Sequence, residues 1–131
     1  MIEIEKIRVR DVMSSPVVTI DGNATVKEAA EIMMKTGYRG LVVEKVDEED
    51  AYGIITVKDI VYKVIAKGMP LEKVKVLEVM TKPCIVVPDY YDIKYAARLM
   101  AMANIVRLPV ISPDNKIVGM ITLRDIIKPF V

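Results

Sequence analysis

The chain has 131 residues, of which 53% are hydrophobic and 28% are charged, so it is long enough to bury a core and is neither disordered nor low in complexity. Its 19 basic and 18 acidic residues leave a net charge of +1, without the strong basic excess that is typical of proteins that bind duplex nucleic acid. With no histidine and one cysteine, neither an internal disulfide, nor a zinc site of the usual ligands, nor a histidine-dependent catalytic centre is expected.

The apolar residues occur in short runs rather than in one long segment. The run over 84–87 is typical, and it is far shorter than the roughly 18 residues that a membrane-spanning helix needs. A single cysteine also gives no sign of the disulfide framework of a small secreted domain. We therefore expect a cytoplasmic protein that does not enter a membrane.

The first half of the chain predicts the element order β-α-β-β-α. The predicted strands cover 16–20, 41–43 and 52–55, and the predicted helices cover 25–36 and 57–66. Short β-branched runs indicate the strands, and apolar residues spaced along one face indicate the helices. Thr25 and Glu28 have the spacing of a capping box, which marks the start of the first helix.

The second half of the chain repeats the first. The matching segments are 9–16 with 76–83, 26–30 with 93–97, and 53–60 with 119–126. The predicted strands of this half cover 84–87, 107–111 and 117–121, and its helices cover 92–103 and 123–128. The chain thus divides into a first repeat over 7–67, a linker over 68–75 and a second repeat over 76–131. Because a unit of about 60 residues buries too little surface to be very stable alone, we expect the two repeats to pack with pseudo-twofold symmetry into one globular α+β module.

The sharpest motif is Gly-x-x-Thr-x-x-Asp, which occurs once in each repeat. Its members are Gly53, Thr56 and Asp59 in the first repeat, and Gly119, Thr122 and Asp125 in the second. Each copy lies where a predicted strand ends and a helix begins, so free backbone N–H groups there favour an anion. The threonine hydroxyl has the chemistry to bind phosphate, and the carboxylate can accept from ribose hydroxyls. The same spacing is also an ordinary helix cap that needs no ligand, and the pattern alone leaves both interpretations open.

Together these repeats resemble the cystathionine-β-synthase-type (CBS) domain, which usually occurs as a tandem pair. The resemblance rests on Asp11-Val12-Met13 and Glu78-Val79-Met80, on Pro16 and Pro83, on Arg107-Leu108-Pro109-Val110 and on both copies of the motif. It covers about residues 7–131 and implies a regulatory module rather than an enzyme, with no cofactor or metal. Such pairs generally sense adenosine-containing ligands (AMP, ADP, ATP, S-adenosylmethionine) in two clefts, and commonly form homodimers. A regulated partner protein is implied, but the sequence does not identify it.

The resemblance also implies which residues line the two clefts. One cleft combines Arg107, Thr122 and Asp125 with Met13, Pro16 and Val18, and the other combines Arg39, Thr56 and Asp59 with Met80, Pro83 and Ile85. In this arrangement the aspartates bind ribose hydroxyls, the threonines bind phosphate or ribose, and the arginines neutralise phosphate. The arginine of the first repeat is displaced by one position, and one position along a strand points to the opposite face. The cleft with Arg107 and Asp125 is therefore the more family-like one, and either one or two occupied clefts are consistent with the sequence.

Two other functions stay open at this point. A ligand-free dimeric interaction scaffold would keep the fold and use Thr56 and Thr122 only as helix caps. An enzyme is disfavoured because no pattern of nucleophile and base is recognisable.

Three features outside the motif carry weaker expectations. Tyr90 and Tyr91 are compatible with stacking on a base, with a dimer contact or with an ordinary surface turn. Cys84 is expected to be a buried small hydrophobic residue. The acidic residues 47–50 lack the spacing of a calcium loop and are expected to form a solvated hairpin turn.

Overall fold

A computed structural model describes residues 6–131 of the chain. The helices are α1 (Val9–Val12), α2 (Val26–Thr36), α3 (Val57–Ile60), α4 (Val76–Val79), α5 (Ile93–Ala103) and α6 (Leu123–Ile127). The strands are β1 (Thr19–Ile20), β2 (Gly40–Val43), β3 (Gly53–Thr56), β4 (Val87–Pro88), β5 (Arg107–Ile111) and β6 (Ile117–Thr122). A π-helical segment at Val61–Ile65 continues α3, and 3-10 turns lie at Leu71–Lys73 and Lys128–Phe130. The predicted α+β class is confirmed.

The chain folds into two compact units that differ from the two repeats taken in sequence. The middle unit is Val18–Cys84, and the terminal unit joins the chain up to Val17 to Ile85–Val131. We call residues 9–16 and 76–83 the leading segments of the two repeats. Each unit contains the body of one repeat and the whole leading segment of the other. The repeats describe the duplicated sequence, and the units describe where the chain packs.

The middle unit is built on a sheet in the order β1-β2-β3, with β1 parallel and β3 antiparallel to β2. The parallel pair requires a crossover, which α2 provides. Thr25 caps this helix by accepting from the Glu28 backbone N–H at 3.1 Å, and Gly37 ends it in the left-handed conformation at φ 79°. The apolar core of the unit includes Ile20, Val26, Ala29, Met33, Leu41, Val43, Ile55, Val76 and Val79.

The terminal unit repeats this architecture with a sheet in the order β4-β5-β6. Asp92 caps α5 by accepting from the Lys94 backbone N–H at 2.9 Å, and Asn104 ends the helix at φ 54°. The core of this unit consists of Val9, Val87, Ile93, Ala96, Met100, Leu108, Val110 and Ile121. A residue of the first leading segment, Val9, is thus completely buried in the core of the terminal unit.

The predicted order β-α-β-β-α holds in each repeat, but a short helix precedes it. The helices α1 and α4 have four residues each, which is too short for an apolar period to reveal. The first strands have two residues each, where the sequence predicts strands over 16–20 and 84–87. Pro16 lies in the missing part of the first strand and Pro83 directly precedes the second, and proline cannot donate a hydrogen bond to a strand ladder.

The predicted linker over 68–75 is ordered and belongs to the middle unit. Val74 is buried in the core, and its carbonyl accepts from the Val26 backbone N–H at 2.8 Å. This contact holds the linker against the start of α2.

Candidate functional site

Both copies of the Gly-x-x-Thr-x-x-Asp motif form complete capping boxes. Thr56 Oγ1 accepts from the Asp59 backbone N–H at 3.2 Å, and Asp59 Oδ2 accepts from the Thr56 backbone N–H at 2.9 Å. The corresponding distances between Thr122 and Asp125 are 3.4 Å and 2.9 Å. Each threonine hydroxyl also donates to Oδ2 of its aspartate, at 3.0 Å and 3.1 Å respectively. The motif therefore caps its helix in both units, and the cap fixes each carboxylate in place.

The second oxygen of each aspartate distinguishes the two copies. Asp59 Oδ1 lies 3.0 Å from the Nζ of Lys63, and the same ammonium donates to the Val79 carbonyl at 2.9 Å. The terminal unit has Pro129 four residues after Asp125, where the middle unit has this lysine. Within the described part of the chain, no group forms a hydrogen bond or ion pair with Asp125 Oδ1. Asp125 therefore offers an open acceptor, whereas both oxygens of Asp59 are engaged.

The arginines differ in their register with the motif threonines. Arg107 begins β5 and is the direct cross-strand partner of Thr122, so the two side chains share one face of the sheet. In the middle unit the partner of Thr56 is Gly40, and Arg39 lies one position earlier, before β2 begins, with an exposed side chain. The displacement of the arginine in the sequence is thus also a displacement in the sheet. An arginine and the motif threonine are in register in the terminal unit and out of register in the middle unit.

The leading segments bind directly to the motif strands. Ser14 and Met120 exchange two backbone hydrogen bonds of 2.9 Å and 3.0 Å, so the first leading segment pairs with β6. Thr81 and Ile54 exchange two bonds of 2.9 Å, so the second pairs with β3. In each unit, the leading segment of one repeat therefore lies beside the motif of the other repeat.

This pairing explains the glycine of the motif. A Cβ atom added at Gly119 would lie against the sulfur of Met13 and 2.9 Å from the Ser14 carbonyl oxygen. A Cβ atom at Gly53 would lie 3.0 Å from the sulfur of Met80 and 3.2 Å from the Thr81 carbonyl oxygen. A larger residue would push the leading segment away, so the glycine is required by a close approach and not by its backbone angles.

Most of the residues predicted for each cleft fall in one unit. Arg107, Thr122, Asp125, Met13 and Pro16 belong to the terminal unit, and Arg39, Thr56, Asp59, Met80 and Pro83 belong to the middle unit. Val18 and Ile85 fall in the other unit from the rest of their predicted clefts. Val18 packs against the core of the middle unit. It directly precedes β1, and its carbonyl accepts from the Val42 backbone N–H at 3.4 Å, where β1 begins to pair with β2. Ile85 belongs to the terminal unit and is exposed.

Two lysines near the motif were not anticipated from the sequence. The contact of Lys63 with Asp59 could have been predicted, because the lysine lies four residues after the aspartate and side chains at this spacing meet on a helix. Lys82 lies 2.5 Å from Asp50. The acidic turn is therefore not fully solvated, contrary to the prediction. The hydrogen bond from Lys82, followed by one from the Val46 backbone, lowers the pKa of Asp50 to about 2. This second pair is separated by 32 residues in sequence, and no local pattern reveals it.

Cys84 is half-buried, and desolvation raises the pKa of its thiol to about 11. Its backbone nitrogen donates to the Tyr52 carbonyl at 2.9 Å. The residue therefore keeps a neutral thiol at physiological pH, although it is half-buried where the sequence predicts a buried residue.

The model of the CBS domain family matches residues 9–66 and again residues 76–131. The chain therefore belongs to the CBS domain family. A hexameric CBS-CP12 protein from bloom-forming cyanobacteria has a similar structure, with a TM-score of 0.89 and 42% identity over 95% of this chain and 68% of that one. The CBS domain pair of protein MJ0100, solved in complex with 5′-methylthioadenosine and S-adenosyl-L-methionine, has a TM-score of 0.82 and 32% identity over 95% of this chain and 96% of that one.

Among curated proteins, an uncharacterized protein of Methanopyrus kandleri is 30% identical over 93% of this chain. The chain spans 62% of the length of that relative, and 24% and 22% of the length of two longer archaeal proteins that it also matches. Within residues 6–131, no helix is both long enough and apolar enough to cross a membrane.

Proposed function

We propose that the chain is a regulatory module without catalysis of its own, which binds one adenosyl ligand beside the Thr122–Asp125 motif of the terminal unit. The observation that carries this proposal is the unequal occupation of the two motif carboxylates, because Asp125 Oδ1 is open whereas Asp59 Oδ1 is held by Lys63. A fixed carboxylate with an open oxygen suits the neighbouring hydroxyls of a ribose, which are hydrogen-bond donors.

The ligand class is supported by the likeness to the CBS domain pair of protein MJ0100, which is 32% identical and was solved with two ligands. Both of those ligands, 5′-methylthioadenosine and S-adenosyl-L-methionine, contain an adenosyl group. AMP, ADP and ATP share the same adenosine and are further candidates for this chain.

Each residue of the terminal site has a distinct role in this proposal. Thr122 positions Asp125 rather than binding phosphate, because its hydroxyl already donates to Asp125 Oδ2 at 3.1 Å. Arg107 shares a sheet face with Thr122 and supplies positive charge for a carboxylate or phosphate on the ligand. Met13 and Pro16, in the leading segment that pairs with β6, offer apolar surface to the adenine.

The middle unit is proposed to leave its motif without ligand. A ligand would first have to displace Lys63 from Asp59, and this ammonium also holds the Val79 carbonyl. The arginine of this unit is out of register, because Gly40 lies opposite Thr56. We therefore expect only one of the two motifs of each chain to hold an adenosyl ligand.

Isothermal titration calorimetry tests this proposal with S-adenosylmethionine, 5′-methylthioadenosine, AMP, ADP and ATP as titrants. At least one should bind beside the Thr122–Asp125 motif at one site per chain, and Asp125→Ala should abolish binding at this site while Asp59→Ala preserves it. Each substitution removes the equivalent capping-box carboxylate, and Asp59→Ala also removes the ion pair with Lys63. Thermal unfolding gives a second readout, because a ligand at a hundredfold excess over its Kd stabilises the folded state by about 2.7 kcal/mol. No binding of any titrant at millimolar concentration would refute the proposal.

A second candidate function, a dimeric interaction scaffold, is favoured by the same capping boxes, because they give both motif copies a structural purpose without a ligand. It is also favoured by an apolar groove of about 800 Å³ between α5 and α6, lined in part by Val106, Leu123, Ile127 and Phe130. Such a groove suits a second copy of the chain, and the similar CBS-CP12 protein is hexameric.

Light scattering on the purified chain tests self-association, and a homodimer or larger homo-oligomer is expected. Ile127→Glu should shift the mass towards the monomer, because the side chain is 58% exposed and contributes to the groove surface. Val46→Glu is the control, since Val46 is an exposed apolar residue outside this groove. A monomeric wild-type chain would contradict the scaffold.

A further inference from the structure

A second cavity of the terminal unit lies away from the motif, where the chain before α1 passes the start of α5. It has a volume of about 590 Å³ and is lined by Lys6, Arg8, Tyr90, Tyr91, Lys94 and Tyr95, together with Asp92. The three tyrosines are between 39% and 45% exposed, although they are large aromatic side chains. Their rings touch edge to face, with centroids 5.4 Å apart for the first pair and 6.2 Å for the second. The rings therefore hold one another in place as a partly exposed aromatic surface.

The last of these rings also holds two cations. Lys94 Nζ lies 5.4 Å and Arg98 Cζ lies 5.3 Å from the ring centroid of Tyr95. Both distances are within the range of a cation–π interaction, so the ring restrains two positive charges beside the cavity.

The other side of the cavity adds further positive charge. Lys6 and Arg8 line it, and one nitrogen of Arg8 donates to the Tyr90 carbonyl at 2.5 Å, which ties this segment to the aromatic surface. The acidic side chain in the lining, Asp92, accepts from the Lys94 backbone N–H and serves as the cap of α5. The balance of charge around the cavity thus favours an anion.

The aligned positions of the first repeat lack this arrangement. Where the second repeat has Tyr90, Tyr91, Tyr95 and Arg98, the first has Asn23, Ala24, Glu28 and Glu31. The helix of the first repeat has the same length, a side-chain cap at its start and the equivalent buried positions without these residues. The fold therefore does not require three tyrosines and an arginine at this place, and their presence needs another explanation.

We propose that this cavity, which we call the tyrosine pocket, binds a small anion that carries an aromatic ring, such as a nucleoside phosphate. The volume is within the range of small-molecule pockets. The tyrosine rings provide surface for the aromatic part. Lys6, Arg8 and Lys94 in the lining, with Arg98 beside Tyr95, provide charge for the anionic part. The net charge of +1 lacks the strong basic excess that is typical of proteins that bind nucleic acid, which favours a single small ligand.

NMR titration of the isotope-labelled chain tests the tyrosine pocket with AMP, adenosine and inorganic phosphate as separate probes. AMP should shift the backbone amide signals of Tyr91, Lys94 and Tyr95 in a saturable way, with adenosine and phosphate each giving weaker effects. Absence of AMP shifts at these residues would overturn the proposal. Shifts with phosphate alone that equal those with AMP would overturn it too, because the rings would then have no function in binding.

Matched variants separate the tyrosine pocket from the motif site. Tyr95→Glu with Arg98→Glu introduces the residues that α2 already carries at the aligned positions, so the fold should be preserved, and the pocket should bind AMP about tenfold more weakly. Glu31→Arg in α2 is the control and should leave the pocket unchanged. Asp125→Ala should also leave it unchanged, so a failure of the motif site and a failure of the pocket are distinguishable. An unaltered affinity in the double variant would overturn the assignment of this site.

Discussion

The middle and terminal units carry the same motif at the end of the third strand of equivalent sheets, yet they expose different chemistry at its carboxylate. In both units the threonine and the aspartate cap a helix with almost identical distances. Only beyond the cap do the units diverge, because Lys63 engages Asp59 and no described group engages the open oxygen of Asp125. A motif that is intact in sequence is therefore not by itself a site that is open to a ligand.

The residues that distinguish the units lie outside the motif. Pro129 occupies the position that corresponds to Lys63, and Arg107 occupies the register position that corresponds to Gly40. Both differences act in the same direction, because they leave the terminal unit with an open carboxylate and an arginine in register. The capping boxes explain why both copies retain threonine and aspartate, since each cap contributes about 1 kcal/mol whether or not a ligand binds.

The motif glycines should give the largest difference in stability between the units. Gly119→Ala should lower the free energy of unfolding by about 1–3 kcal/mol, because its Cβ would overlap the sulfur of Met13 and approach the Ser14 carbonyl oxygen. Gly53→Ala should cost less, since its nearest atom is the Met80 sulfur at 3.0 Å, at the flexible end of a side chain. Urea denaturation followed by circular dichroism measures both.

A third glycine is the control for this comparison. A Cβ atom at Gly22 would have its nearest neighbours at 3.5 Å and 3.6 Å, which are ordinary van der Waals distances. Gly22→Ala should therefore change stability little. Equal costs for all three substitutions would show that the close approach of the leading segments does not explain the motif glycines.

Lys63→Ala should convert the middle motif into a second, weaker ligand site. The substitution opens Asp59 Oδ1, but it does not supply an arginine at Gly40, so the new site should bind less tightly than the terminal one. Calorimetry should then show a stoichiometry rising from one towards two. The loss of stability should be at most about 0.5 kcal/mol, because the lysine is partly exposed and the pair is an i,i+4 ion pair.

Lys58→Ala is the control for this experiment, since Lys58 lies in the same helix and contacts the ring of Tyr62 instead of the motif carboxylate. A stoichiometry that stays at one in the Lys63 variant would mean that something other than this ion pair closes the middle motif.

The ion pair between Asp50 and Lys82 should make part of the stability of the middle unit depend on acid pH. The folded-state pKa of Asp50 is lowered from 3.8 to about 2, so the pair stabilises the fold above pH 3.8, and this contribution is lost as the pH falls towards 2. The difference in unfolding free energy between the wild type and Asp50→Asn should therefore be constant near neutral pH and shrink to zero over that window. Glu49→Gln, in the same turn, should show no such trend. A difference that persists at pH 2 would contradict the assigned pair.

The sequence predicts the helices and strands of this fold better than it predicts which segments pair with one another. The strand predicted over 107–111 coincides with β5, a short apolar run whose three central residues are buried. The helices α1 and α4 escape prediction because four residues carry no period. The pairing of each leading segment with the body of the other repeat has no local signal, since it joins distant residues such as Ser14 and Met120, and only the family resemblance implied that these parts lie together.

The candidate site likewise has residues that local patterns predict and contacts that they do not. The threonines and aspartates follow from a local pattern, and so does the displaced arginine. The engagement of Asp59 by Lys63 was available in principle from their spacing, but the spacing alone does not show that the same ammonium also reaches the Val79 carbonyl. Which motif is open is therefore decided by contacts that a single sequence leaves unresolved.

The smallest expected effect is at Cys84, where the second repeat has a cysteine and the first repeat has Val17 at the aligned position. If the thiol serves only as a small apolar group, Cys84→Val should change the free energy of unfolding by less than about 1.5 kcal/mol. The pKa of about 11 also predicts that iodoacetamide alkylates the folded protein slowly at pH 8 and faster as the pH approaches 11, because the thiolate is the reactive form. Alkylation at pH 8 as fast as that of free cysteine would show that water reaches the sulfur. Position 84 would then differ from position 17 in its environment as well as in its residue.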